Sequence, residues 1–204
     1  MNKTRGLLLT AGFVLATAFT FSCSGDGGGG GEPSGGGNAC TNLEPVTIGS
    51  QKWAKKNLDC EVGESKCYDN DPANCTKYGR LYDWETAKTA CPSGWRLPTK
   101  DEWDILVNHA GGSSVAGAKL KAVSGWNENG NGTDEHGFTA LPGGSYNNSD
   151  GYFGDVGKSG RWWSASELNS DSTYYRNMNY NGENVRRWAI DKSVSLSVRC
   201  LKNN

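Results

Sequence analysis

Aliphatic side chains are scarce in this sequence. Leu, Ile, Val and Phe supply 32 of its 204 residues, a share low enough to raise the question of disorder. Charge answers it: 21 Lys plus Arg against 22 Asp plus Glu leave −1, whereas chains held open by self-repulsion carry a large charge of one sign. Eight Trp and eight Tyr fill the gap, since each such ring buries about 150 to 250 Å². The expected core is aromatic. Clusters of Lys and Arg are missing too, and with them the footprint of a phosphate-binding surface, so no nucleic-acid partner is expected. Histidine is limited to His109 and His136, and no C-x-x-C pair occurs, so zinc-ligand spacing is absent. His136 follows Asp134 and Glu135 in a Gly-rich loop, where solvation is a simpler role than that of a base. His109 closes a helical pattern, where an imidazole suits the dipole. No nucleophile elbow or Cys-His constellation frames any Ser, His or Asp, and no catalytic residue is expected.

What is present begins with an address. Lys3 and Arg5 precede an uncharged run from Gly6 to Thr20, a signal-peptide core shorter than the roughly 20 apolar residues that span a bilayer. The run ends at Thr20-Phe21-Ser22-Cys23, which resembles a bacterial lipobox with Thr20 where Leu is usual. The expectation is a signal peptide over residues 1–22 and acylation of Cys23, which anchors the protein to a membrane of the cell envelope, the outer membrane being favoured. The rival is cleavage after Ala16-Thr17-Ala18, giving a soluble secreted protein. From Ser24 to Asn38 nine Gly accompany Ser, Pro and two acids. With nothing apolar to pack, residues 23–38 read as a tether whose flexible part spans about 20 Å. The remaining domain is assigned to residues 39–204 and is mildly acidic.

Seven cysteines are an odd number, but lipid on Cys23 leaves an even set: Cys40, Cys60, Cys67, Cys75, Cys91 and Cys200. Outside the cytoplasm these can form three disulfides in any of 15 connectivities. One arrangement closes the turn-rich loop between Cys67 and Cys75, ties Cys91 to Cys200, and leaves Cys40 with Cys60.

Periodicity sketches the domain. Val46-Thr47-Ile48 and Gln51-Lys52-Trp53 flank Gly49-Ser50, a two-residue hairpin signal. Leu81 to Ala90 reads as a short helix with Asp83 as cap and Pro92 as stop. Thr99 and Glu102 form a capping box before Trp103, Leu106, Val107 and Ala110, with Gly111-Gly112 as the stop. Short strands are expected at 138–141, 152–156, 161–166, 174–180, 185–189 and 194–201.

Several ordered motifs carry a resemblance: Tyr78-Gly79-Arg80-Leu81-Tyr82-Asp83-Trp84, Cys91-Pro92-Ser93-Gly94-Trp95-Arg96-Leu97-Pro98-Thr99, Gly137-Phe138-Thr139-Ala140-Leu141-Pro142-Gly143-Gly144, Trp162-Trp163-Ser164-Ala165-Ser166-Glu167 and Ser197-Val198-Arg199-Cys200. Over roughly Val46 to Leu201 the chain resembles the Fibrobacter succinogenes major paralogous domain family. The resemblance implies an α+β, C-type-lectin-like fold related to the formylglycine-generating enzymes. In it two helices pack on a small, twisted, mainly antiparallel sheet that is disulfide-braced, with adjacent termini and a long-range Cys pair that suits Cys91 and Cys200. Enzymes of that group need a Cys pair near the C-terminal part, where this chain has only Cys200. A non-catalytic binding module is therefore the leading expectation, with an enzyme of that type or a structural envelope spacer as alternatives.

Between Gly143 and Asn184, Gly, Ser and Asn occur seven times each and Tyr five times. That usage resembles binding loops in which Tyr supplies rigid contact area and small polar residues adaptable hydrogen bonds. The same chemistry suits a polysaccharide or a surface protein as ligand, while hairpin turns alone would also use it. Tyr146, Tyr152, Tyr175, Arg176, Asn177, Asn179 and Arg187 are the candidates for an exposed ligand face. Trp162 and Trp163 should point to opposite faces, one into the core and the other open to ligand. Trp95-Arg96-Leu97-Pro98 reads as a packed corner. Asn127 to Glu135 and Asp69-Asn70-Asp71 carry oxygen ligands that Ca²⁺ could use, but neither is an EF-hand; turns without an ion are the simpler reading, and no cofactor is assigned.

Overall fold

The computed structural model describes residues 43–203. The leader, Cys23, the tether and Cys40 lie outside the described residues. Gly49, at φ 59°, and Ser50 reverse the chain between β1 (Pro45–Ile48) and β2 (Gln51–Ala54), which pair antiparallel with Ile48 opposite Gln51. Helix α1 (Pro72–Tyr78) starts where the Asp71 carboxylate accepts the Ala73 N–H at 2.9 Å, and Pro72 stands at a position that needs no donor. After β3 (Leu81–Tyr82), Asp83 caps α2 (Trp84–Ala90) by accepting the Thr86 N–H. Strand β4 (Trp95–Arg96) leads into α3 (Lys100–His109), whose capping box joins Thr99 and Glu102 in both directions. Helix α4 (Ala116–Leu120) follows, then β5 (Gly143–Asn147), β6 (Tyr152–Val156), β7 (Ser159–Glu167), β8 (Ser172–Asn179), β9 (Arg186–Asp191), β10 (Leu196–Ser197) and β11 (Leu201–Lys202).

These strands make an α+β domain with three sheets, ordered β1-β2-β11-β4, β3-β10-β7-β8-β9 and β5-β6. All pairings within them are antiparallel except β10 with β7. The two expected helices are present, joined by α1 and α4, and one expected sheet is three. The expected strand at 138–141 is reduced to one bridge, Ala140 pairing in parallel with Lys121, while Phe138 and Ala140 are buried. The run 194–201 is two short strands, because the chain there leaves one sheet for another.

Consecutive tryptophans on β7 enter different cores, as alternation along a strand requires. Trp162 joins Trp53, Trp103 and Phe138 on the side of α3, while Trp163 joins Tyr82, Trp84 and Leu97 on the side of α2. Both are fully buried, which corrects the expectation that one of them stays open to ligand. Each buried indole N–H has an acceptor, as a large polar-tipped ring requires: Trp53 on Gln51, Trp84 on the Ser164 carbonyl, Trp103 on that of Trp163, Trp126 on that of Ala140, Trp162 on Asn57 Oδ1 and Trp163 on the Tyr82 carbonyl.

Arg199 is a fully buried cation that no carboxylate bonds. Its guanidinium donates to the carbonyls of Ala54, Lys55, Phe138 and Thr139 and twice to Asn57 Oδ1, and it lies 4.2 Å from the Phe138 ring centroid. Burial pushes its pKa down, to about 9, with Asp134 opposing, so the group stays charged at neutral pH. Dipoles rather than a counter-ion hold it.

Two disulfides are formed as the sequence suggested, Cys67–Cys75 and Cys91–Cys200. Cys60 is disulfide-bonded as well; Cys40, the partner expected for it, lies outside the described residues.

Tyr82 is a further buried polar anchor, donating to the Cys60 carbonyl at 2.7 Å. Burial pushes its phenol well above the ordinary value near 10. The folded state therefore keeps a proton that the unfolded chain releases, so this stabilisation is complete below about pH 10 and is lost as pH rises beyond it. Tyr82→Phe is expected to cost about 1 kcal/mol at pH 7 for the hydrogen bond and to flatten the alkaline limb of a urea-midpoint titration between pH 8 and 11.5. An unchanged alkaline slope in the variant would reject this assignment.

Candidate functional site

The five-stranded sheet sets Arg176 of β8 directly opposite Arg187 of β9. Like charges at such a cross-strand position repel. Asp104, from α3, resolves the conflict: one oxygen takes Arg176 at 2.5 Å and the other takes Arg187 at 2.9 Å. Arg176 is buried and also donates to the Lys100 carbonyl at 3.0 Å. Burial lowers its pKa, and Asp104 offsets part of that shift. The Arg187 side chain remains 44% exposed, and its guanidinium lies 5.7 Å from the Tyr174 ring centroid. These groups line an open groove of about 500 Å³ together with Asn108 and Ser113. The floor thus offers fixed guanidinium donors beside carboxylate, amide and hydroxyl acceptors, a set able to read paired hydroxyls.

Arg176 lines this groove from a buried position, and apart from Arg187 the remaining expected ligand residues do not join it. Asn177 is buried, donating to Ser159 Oγ at 2.7 Å, and Arg176 is likewise buried, so neither forms the exposed face proposed for it. The reason is long-range: α3 covers one side of β8, and the Ser159 hydroxyl of β7 claims the Asn177 amide. Tyr175 is half-buried against the core of Trp163. The Tyr146 ring packs against that of Phe153, tilted by 42° with centroids 4.4 Å apart, in the β5-β6 hairpin, where Tyr152 is 67% exposed. Asn179 contributes its carbonyl to Lys121. Sequence reading missed Asp104 and Asn108, which are spaced one helical turn apart beside the apolar stripe of α3. It also missed Trp188, 51% exposed on the edge strand β9.

Lys121 explains the Asn127 to Glu135 loop. Its ammonium donates to the carbonyls of Gly130 at 2.6 Å, Gly182 at 3.0 Å and Asn179 at 3.3 Å. Burial lowers its pKa, with Glu183 opposing. A side chain at Gly130 would run into the Tyr180 carbonyl, so the glycine serves close packing. Asn131 accepts the Trp126 N–H, and Asp134 accepts the Thr139 N–H and hydroxyl. Asp71 is spent as the cap of α1. Among the described residues no group of three or more His, Cys, Asp or Glu is arranged to hold a metal ion, and none of their helices is long and apolar enough to cross a membrane.

The family model of the Fibrobacter succinogenes major domain matches residues 46–202. The chain belongs to this family. No curated protein and no solved structure matches it. In this Fibrobacter succinogenes major domain the motifs that carried the resemblance occupy structural posts. Trp95-Arg96-Leu97-Pro98 forms a corner in which Arg96 grips both carboxylate oxygens of Glu102. Burial raises the Glu102 pKa, but Arg96 and the Thr99 N–H outweigh it and hold the carboxyl below its usual range. Ser197-Val198-Arg199-Cys200 supplies the buried cation and the long disulfide.

Proposed function

We propose that the protein is an exported, lipid-anchored component of a bacterial cell envelope whose domain is a non-catalytic, C-type-lectin-like module binding polysaccharide in the Asp104–Arg176–Arg187 groove. The observation that carries the reading is the single carboxylate clamped between two opposed arginines, 2.5 and 2.9 Å away. Such a network is preorganised, so a ligand need not order these side chains. The lectin-like plan is supported by the pairing of β2 with β11, which brings the two ends of the domain together, and by the Cys91–Cys200 bridge. That bridge also occupies the last cysteine of the chain, so the Cys200 thiol is not available for redox chemistry. The acylated Cys23 and the Gly-rich tether supply the anchor.

The test is a glycan array with the full-length chain in detergent. Retention on at least one plant or bacterial polysaccharide is expected, and Arg187→Gln should weaken it about tenfold or more, as loss of charged hydrogen bonds does, without lowering the melting temperature. A folded protein retained on no glycan removes the proposal.

A further inference from the structure

A second cavity, of about 270 Å³, borders residues that hold the buried Arg199. Lys55, Asn57 and Thr139 line it, and the same residues hold the guanidinium, through the Lys55 and Thr139 carbonyls and Asn57 Oδ1. The cavity floor is therefore backed by a cation whose hydrogen-bond partners are all neutral. Three lysines, Lys55, Lys56 and Lys77, stand in its lining, with Asp59 as the one carboxylate there. Lys55 is paired with Glu44 at 3.0 Å. Lys56 and Lys77 are exposed and have no carboxylate partner among the described residues. Lys77 lies 4.7 Å from the centroid of the Tyr78 ring, and Tyr78 with Leu141 gives the lining an apolar component.

Charge of one sign in a concave, partly apolar site focuses potential and draws in the opposite charge. A charge beneath the wall acts through a medium less polarisable than water and is felt more strongly than one on an open surface. Asp134, the carboxylate that most favours Arg199, is already committed to the Thr139 N–H and hydroxyl. The volume falls below the roughly 300 to 1,000 Å³ of sites for drug-sized ligands, leaving space for one small ring. We propose that this cavity binds the carboxylate of a single acidic sugar ring, with Lys56 and Lys77 taking the charge while Tyr78 and Leu141 pack the ring. It shares no lining residue with the arginine groove.

The experiment is titration of the full-length chain with glucuronate, followed by calorimetry and amide chemical shifts, with glucose, inorganic sulfate and a glutamyl dipeptide as comparison probes. Glucuronate is expected to bind and glucose at equal concentration not to. The double variant Lys56→Gln/Lys77→Gln should lose at least tenfold in affinity while its melting temperature holds, and raising salt should weaken binding to the parent. Arg187→Gln should leave glucuronate binding unchanged, which separates this site from the groove. Undiminished affinity in the double variant overturns the proposal. Equal binding of sulfate overturns the sugar assignment in favour of a simple anion site, and equal binding of the dipeptide overturns it in favour of an acidic peptide.

Discussion

Arg199→Met is expected to destabilise the domain by about 3 kcal/mol, through the hydrogen bonds that its buried guanidinium makes to neutral acceptors. The methionine fills much of the space but donates nothing. The Phe138 carbonyl, bonded by this guanidinium, would then be buried without a donor, at about 1 to 3 kcal/mol for a wholly orphaned group, while the half-buried Lys55 and Thr139 carbonyls also lose their donor. The removed desolvation of the charge returns part of that cost, which is why the carbonyls are not simply summed. Arg199→Lys should fall between the parent and the methionine variant, because one ammonium has three donors for acceptors on five separate residues. Urea unfolding at pH 7 reads the effect. A methionine variant within 1 kcal/mol of the parent would show that the carbonyls find water and that Arg199 does not organise this corner.

Removing the Cys91–Cys200 bridge carries the other large cost. Its sequence separation is 109, and the chain-entropy model gives about 4.7 kcal/mol for a loop near 100 residues. The same model gives roughly 3 kcal/mol or less for the short Cys67–Cys75 loop. Cys91→Ala/Cys200→Ala should therefore lose more stability than Cys67→Ala/Cys75→Ala in non-reducing urea unfolding. Cys200 is fully buried, so loss of its sulfur adds to the difference in the same direction. A larger loss from the short-loop pair would reject the entropic account of the long bridge.

Features governed by neighbours in sequence were legible before the structure. The Gly49-Ser50 hairpin, the Thr99–Glu102 capping box and the alternation that puts Trp162 and Trp163 on opposite sides all follow from local rules. Helix α1 had its signals as well, an Asp cap followed by Pro, but they sit between two cysteines in a stretch that read as loop. Other features depend on partners far away in sequence. Arg176 looks like a surface residue on an alternating strand until Asp104, 72 residues earlier, covers and neutralises it. Phe138 to Leu141 has the composition of a strand, yet only Ala140 finds a ladder partner, in a single bridge to Lys121, and the Phe138 carbonyl goes to Arg199 instead. The aromatic content announced a core without saying that there would be two.

Strand β7 belongs to both of those cores at once. Neighbouring indoles share one backbone, so a shift that dislodges either ring drags the peptide that seats its neighbour. Trp103 ties the halves further, since its indole on the Trp162 side bonds the carbonyl of Trp163. The two halves are coupled through this central strand and again through β2, whose Trp53 and Ala54 enter different cores, and melting one of them in isolation would strip the other of its own support.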